Sequence, residues 1–469
     1  MTREADPDSA REPRTAVRRQ PRPADRKGQP TRSDQGGDHF RAWRDAAGWT
    51  LLAVLGLSLT ALSVYAGAQL GTASAPFLGR YRVHMGAGSL LAPAVAVVIL
   101  ALAARGWWER MAWRWVQVTA YLTALAWAMA LALADGASGL TDALGSPEEY
   151  LVDLSDVGDD PDGYLARFTA DPAAHAVATR GHPPGPVLLL WALARLGVAD
   201  HVVLGLLVTA LGVLTVPLVL AAVRDSCGET PARRYAPVLV LAPYAVWVAV
   251  SMDAIVAVLG AALVVAGVRA SRRQSKGWPA GGWALLAGLL TGVAALFSYA
   301  APWLGLSVVC LYFARRRPGL NIVTGVGALL PLFGAQALGF NWVEGLQMAH
   351  SDYTSRIEPY RSALWWSGIS LVALLLAAGP PLFASGRKIR NTAAWPFLAG
   401  AGAAVTFSIV TGLARGGVEH AWLAFFPWLT VAAVAPERQA GPPVAAPLLL
   451  AGLGAIVAVT VEALLATPW

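Results

Sequence analysis

The sequence predicts an all-α polytopic membrane protein with about 12–14 transmembrane segments and a long extracytoplasmic loop carrying short amphipathic helices. Three observations lead to this class. Of 469 residues, 56% are hydrophobic and 14% charged, whereas a typical soluble domain carries roughly 25% charged residues. The apolar residues come in runs, and those at 51–70 and 115–133 each match the length that spans a hydrocarbon core of ~30 Å. Most Lys and Arg residues lie in a polar tail or in short connections, as orientation in a bilayer requires. The formal net charge of +7 therefore reflects membrane topology, and nucleic acid is not an expected partner. Cys227 and Cys310 lie far apart in or beside apolar segments, so neither a disulfide framework nor a CxxC metal site is available.

The elements follow in order. Residues 1–46 are rich in Arg, Asp, Pro, Gln and Ser, and such a segment buries too little apolar surface to fold. It is expected to be a disordered basic tail. Arg14, Arg18, Arg19, Arg22, Arg26, Lys27, Arg41 and Arg44 precede the first span and place the tail in the cytoplasm. Apolar segments follow at 48–70, 86–104, 113–134, 185–199, 202–223, 235–250, 253–270, 280–297, 300–315, 320–339, 364–385, 393–412, 418–434 and 443–467. The first two, within 47–112, are read as additional helices, 113–435 as a core, and 436–469 as a C-terminal transmembrane helix.

Charge tests the topology. If the short segment 185–199, interrupted by Arg195, does not cross, the basic connections 105–114, 224–234, 269–276, 315–317 and 387–390 all fall on the cytoplasmic side. The opposite side then receives 135–184, Ser251 to Asp253, 298–302, 340–362 and 415–420. If 185–199 does cross, two basic loops move outside unless another segment fails to cross.

The outer connection 135–184 is far longer than a usual loop, and such loops are functional or disordered. Tyr150, Leu151, Leu154, Tyr164, Leu165 and Phe168 supply apolar anchors for short helices lying on the membrane surface. The loop is dense in carboxylates. Glu149 and Asp153 stand four apart, and on a helix they would share one face. A carboxylate at the edge of low-dielectric surroundings has a raised pKa and suits a general base.

Gly181-His182-Pro183-Pro184-Gly185-Pro186 closes the loop and opens the next helix. Prolines with fixed φ suit a helix start, and His182 is held at that junction. Asp253 lies between two apolar segments, where an ionisable residue is a functional candidate by default. Arg180, Arg356, Arg361, Arg415 and His420 are the further outer-side groups able to meet a phosphate. His350 and Asp352 supply two ligands, too few to define a metal site.

The acidic loop followed by His182-Pro183-Pro184-Gly185 resembles the membrane-embedded GT-C glycosyltransferases, in particular the protein-mannosyltransferase-like and aminoarabinose-transferase-like branch and related actinobacterial enzymes. Three passages add to the resemblance. They are 242–247 leading into Ser251-Met252-Asp253-Ala254, Arg356-Ile357-Glu358-Pro359-Tyr360, and Arg415-Gly416-Gly417-Val418-Glu419-His420-Ala421-Trp422. The likeness covers roughly 113–435. The chain departs from the family pattern at Gly417, where Glu is expected, at His420, where Arg is expected, and at Glu148-Glu149, where Asp-Glu is expected.

The resemblance implies a plasma-membrane enzyme of the cell envelope that takes a sugar from a polyprenyl-phosphate donor on the outer face. The sugar passes to a glycan, lipid or protein acceptor, typically with inversion. A carboxylate of the first large outer loop, Asp153 or Glu149, is then the base. Arg180, His182, Asp253, Arg356, Arg415, Glu419 and His420 serve the donor phosphate and substrate. No cofactor is fixed, although some members hold a divalent metal near the base. Two other classes compete: a secondary transporter or lipid-linked-sugar flippase, which would centre on paired ionisable residues at mid-membrane, and an inactive membrane scaffold.

Overall fold

The computed structural model describes residues 32–83, 86–413, 415–435 and 447–466. Most of the expected N-terminal tail, residues 1–31, lies outside the described residues, as does the start of the expected C-terminal segment, 436–446. From Arg32 the chain is already helical, in Arg32–Tyr65, so the tail ends earlier than residue 46.

The protein is an all-α polytopic membrane protein. Each of the fourteen apolar segments contains helix. Among the described residues, seven helices are long and apolar enough to cross a membrane, and the count is eight if the pair Trp342–Tyr360 and Ala363–Ala378, bent by 100°, forms one broken span. Gly88–Ala104, Gly185–Arg195, Pro302–Ala314 and Trp395–Thr411 are apolar but shorter. Length and composition thus yield fewer full spans than the twelve to fourteen segments of the sequence, because several segments are interrupted.

Proline explains one interruption. Pro243 has no N–H and a fixed φ, and it drives Ala242 into an extended conformation (φ −64°, ψ 143°). The segment 235–250 therefore divides into the helix Glu229–Val240 and the 3-10 turn Pro243–Trp247. The helix Gly185–Arg195 has 11 residues and rises only ~16 Å, too short to traverse the hydrocarbon.

Small residues set the closest helix packing. A Cβ on Gly288 would meet the Thr324 carbonyl oxygen at 2.1 Å, and one on Gly292 the Ala328 carbonyl oxygen at 2.3 Å. The helices Trp278–Ala295 and Leu320–Ala337 therefore touch backbone to backbone, as small-residue interfaces allow in membranes. Thr324 adds a hydrogen bond from its hydroxyl to the Ala284 carbonyl at 2.9 Å.

The basic connections gather at one end of the bundle. Arg233 donates to the carbonyls of Trp108 (2.6 Å) and Met111 (2.8 Å). Arg315 donates to Val268 (2.9 Å) and to the Ser226 hydroxyl (3.0 Å), and Arg272 pairs with Asp225. The helix Met252–Ala270 carries Arg269 at this end and Asp253 in its first turn. A helical rise places the two roughly 24 Å apart, so Asp253 lies at the opposite boundary.

The outer helices are integrated with the rest. Arg32–Tyr65 packs on Ala363–Ala378, and Gly88–Ala104 lies against Trp113–Ala132 and Pro447–Leu464. The connection after the first span pairs Arg80–Tyr81 antiparallel with Leu465–Ala466, in the register Arg80 to Ala466.

A Gly288→Val variant should lose about 1–3 kcal/mol of stability through overpacking. Gly281→Ala, whose Cβ meets nothing within 4 Å, should melt at or above the wild-type temperature. Thermal unfolding in detergent separates these outcomes.

Candidate active site

The outer loop folds onto the bundle through its apolar side chains. Tyr150, Val157, Tyr164, Leu165 and Phe168 are buried in one cluster with Val187, Leu190, Leu204 and Phe340, and Leu151 and Leu154 pack against it. These anchors therefore face protein, where the sequence suggested a membrane surface. Short helices alternate with turns because the loop supplies its own caps. Asp160 accepts from the Gly163 N–H at 2.8 Å with Pro161 opening the helix Pro161–Arg167, and Asp171 accepts from Ala173 N–H at 3.2 Å.

Two links close the loop on itself. The Ala178 N–H donates to the Glu148 carbonyl at 2.9 Å. The Ala176 N–H lies 3.1 Å from both carboxylate oxygens of Asp153. These links place the two candidate bases differently. The chain at Glu149 is extended (φ −99°, ψ 167°), and the 3-10 turn Tyr150–Asp153 begins after it. The two carboxylates do not share a helix face. Asp153 turns inward and is buried, whereas Glu149 lines a cavity of about 450 Å³.

That cavity brings together distant parts of the chain. Glu148, Glu149 and Tyr150 come from the loop, His182 from its end, Asp253 from the start of the helix Met252–Ala270, Gly417 and His420 from the late loop, Arg80 and Arg82 from the first outer connection, and Glu462 from the C-terminal helix. Asp253 is the hub. His182 Nε2 stands 3.9 Å from one of its carboxylate oxygens and His420 Nδ1 3.5 Å from the other. His182 donates through Nδ1 to the Ala178 carbonyl at 2.9 Å, since a carbonyl can only accept. That bond turns Nε2 toward Asp253, and the ring meets Tyr150 edge-on.

The backbone around the hub is held under constraint. Ser251 caps the helix by accepting the Asp253 N–H at 3.2 Å. Val250 adopts φ +63°, rare for a β-branched residue, and its N–H donates to the Thr209 hydroxyl at 3.0 Å. Such strain costs of order 1–3 kcal/mol and concentrates at functional sites. The late loop turns through Gly416 (φ +94°) and Gly417 (φ +73°). A Glu at position 417 would have to adopt a left-handed backbone and would bring its Cβ to 3.3 Å from Leu78 Cδ1, which accounts for Gly at this position.

Charge in the cavity is coupled. Burial pushes the Glu149 carboxyl up to about 7; His420 pulls it down and Asp253 raises it. Burial opposes the imidazolium of His420, but the hydrogen bond and charge of Asp253, with Glu419 and Glu149 behind them, raise its pKa above the ordinary value. Burial likewise raises Glu419.

The remaining candidates support the walls. Glu419 is fully buried and accepts the Leu78 N–H at 2.7 Å, tying the late loop to the first outer connection. Arg180 and Arg356 both face Asp352, at 3.6 and 2.9 Å. Arg415 pairs with Glu358 at 2.6 Å and donates to the Arg361 carbonyl at 2.9 Å. None of these three arginines lines the cavity. Its cations are Arg80 and Arg82, which the sequence reading passed over. Two arginines in the short connection after the first apolar segment were the available signal.

Among the described residues, the cavity's carboxylates and histidines do not bring three ligand atoms within reach of one ion.

No protein-family model matches the chain, and no curated protein matches it in sequence. Two solved structures are similar, both of ArnT from Cupriavidus metallidurans. The apo form has a TM-score of 0.39 and 16% identity over 58% of this chain and 54% of that one. The form bound to undecaprenyl phosphate has a TM-score of 0.41 and 18% identity over 61% of this chain and 57% of that one. The similarity thus spans less than two thirds of ArnT.

Asp253→Asn removes the negative charge that helps to raise His420, so the pKa of His420 should fall. An NMR pH titration of the histidine ring protons, assigned with His420→Gln, tests this; an unchanged pKa would mean that Asp253 does not hold the proton on His420.

Proposed function

We propose that the protein is a membrane glycosyltransferase that moves a sugar from a polyprenyl phosphate to an acceptor hydroxyl at the outer face of the membrane. The observation that carries this reading is the convergence, in one cavity, of a carboxyl of near-neutral proton affinity, a carboxylate flanked by two histidines, and two arginines. The sequence motifs that resemble GT-C enzymes contribute Glu149, His182, Asp253 and His420 to it.

Glu149 takes the proton of the acceptor hydroxyl. The acceptor oxygen bonds to the anomeric carbon as the bond from that carbon to the phosphate oxygen breaks, and the bonding pair leaves with the phosphate. Attack opposite the leaving group inverts the anomeric centre. A base whose pKa lies near the working pH is both ionised and strong enough to accept the proton. The leaving phosphate gains charge, and Arg80, Arg82 and a protonated His420 are the groups able to stabilise it. Asp253 keeps His420 charged and orients His182.

The orientation rests on charge. The basic connections collect at the end of the bundle remote from Asp253, and such connections favour the cytoplasm. The cavity then faces the outside of the plasma membrane, and the N-terminus lies inside. Its position at helix ends, away from mid-membrane, supports a transferase over a secondary transporter. Arg180, Arg356 and Arg415, engaged with Asp352 and Glu358, brace the loops.

Membranes containing the wild type should transfer radiolabel from at least one of polyprenyl-phosphate mannose, glucose or arabinose. Glu149→Gln should lower the rate ~10²–10⁴-fold at equal expression, the usual share of a general base. The wild-type rate should climb with pH through about 7, because only ionised Glu149 accepts the proton, and fall again at the higher pH where His420 loses its own. Transfer that survives Glu149→Gln would remove the assigned base.

A further inference from the structure

The outer loop holds a second constellation, off the cavity, that the proposed transfer reaction does not use. Asp153 ends the turn Tyr150–Asp153, Asp156 lies in the short helix Leu154–Val157, and His175 follows the turn Pro172–Ala174. Their ligand atoms all lie within 4.8 Å of one another. The side chains of His175 and Asp153 are 8% and 2% exposed, while Asp156 faces solvent.

His175 is the informative member. Its Nε2 lies 3.0 Å from the Phe168 carbonyl, and since that oxygen can only accept, Nε2 carries the hydrogen. The ring is stacked on Phe168 at 4.9 Å and meets Tyr164 edge-on, so its orientation is locked. The other nitrogen, Nδ1, is buried without a hydrogen-bond partner and points at Asp153, 3.9 Å from Oδ2. A buried acceptor aimed at a carboxylate is costly unless something positive lies between them. Adjacent donors around one ion, each bonded at ~2.0–2.4 Å, have this kind of spacing. The backbone bond on the far nitrogen is the usual second-shell support of a metal-ligating histidine.

We propose that Asp153, Asp156 and His175 form a binding site for a divalent transition metal of the zinc or manganese class. One imidazole and two carboxylates suit such ions better than an all-oxygen set would. Three protein ligands leave a coordination position open to water on the Asp156 side. The ion joins the two halves of the outer loop beside the link from Ala176 to Asp153 and fixes the turn that follows Glu149. It is distinct from a metal at the reacting carboxylate, because none of the three residues lines the cavity.

The test uses the purified full chain in detergent, stripped with chelator, reloaded with Zn²⁺ or Mn²⁺ and desalted. Metal per chain and the thermal unfolding midpoint are then measured. The wild type should retain about one equivalent of one of these ions and unfold at a higher temperature when loaded. Asp156→Asn and His175→Gln should lose both effects. Asp156 is exposed, so the stripped Asp156→Asn protein should melt with the stripped wild type, and this variant decides the matter if His175→Gln does not fold. Failure of the wild type to retain either ion, or retention unchanged in Asp156→Asn, would overturn the site. Neither readout involves sugar transfer, so the result is independent of the transferase reading.

Discussion

Asp253 stands in the first turn of a helix that crosses an apolar bundle, and an ionised carboxylate there needs partners. The helix N-terminus favours the negative charge, and Ser251 fixes the turn. The remaining compensation comes from two histidines on other parts of the chain, His182 at 3.9 Å and His420 at 3.5 Å. Meeting this one requirement draws the end of the outer loop and the late loop to a single point. The rest of the outer end follows from it. The Pro-Pro junction aims His182, the glycine pair 416–417 turns the late loop, and Glu419 fastens that loop to the first outer connection through Leu78.

The same economy of charge accounts for the opposite end. Arg233, Arg272 and Arg315 are spent on carbonyls, hydroxyls and Asp225 between short connections, where they lock helix ends together. At the cavity end, by contrast, Arg180, Arg356 and Arg415 are tied to carboxylates, and Arg80 and Arg82 come in from the first outer connection to line the cavity. The helix Met252–Ala270 separates the two regimes by its own length, carrying Asp253 at one and Arg269 at the other.

Much of the fold was legible in the sequence, because apolar runs in a bilayer leave few alternatives to helix. The His182 junction, Asp253 and His420 were legible as well, since each is an ionisable group at the edge of an apolar run. What could not be read is how loops close on themselves. The sequence favoured Asp153 slightly over Glu149, and it could not show that the Ala176 N–H, 23 residues further along the chain, meets both oxygens of Asp153 while a turn begins after Glu149. Glu419 read as a substrate group, and its burial against a backbone N–H 341 residues away had no signal in the sequence. The first two helices looked like an addition to the core, yet Arg80 and Arg82 between them line the cavity, and the two-residue pairing with Leu465–Ala466 that places them has no periodicity to detect.

If the protein moves sugar from a lipid carrier, the cavity around Asp253 receives the phosphate end of that donor. Photo-crosslinking with a polyprenyl phosphate that carries a diazirine next to the phosphate, followed by peptide mapping, addresses it most directly. Crosslinks are expected in the peptides holding 78–82, 148–150 and 417–420, competed by unlabelled polyprenyl phosphate and weakened by a double Arg80→Ala, Arg82→Ala change. Crosslinks confined to mid-span residues or to the basic end near Arg224 and Arg272 would contradict it.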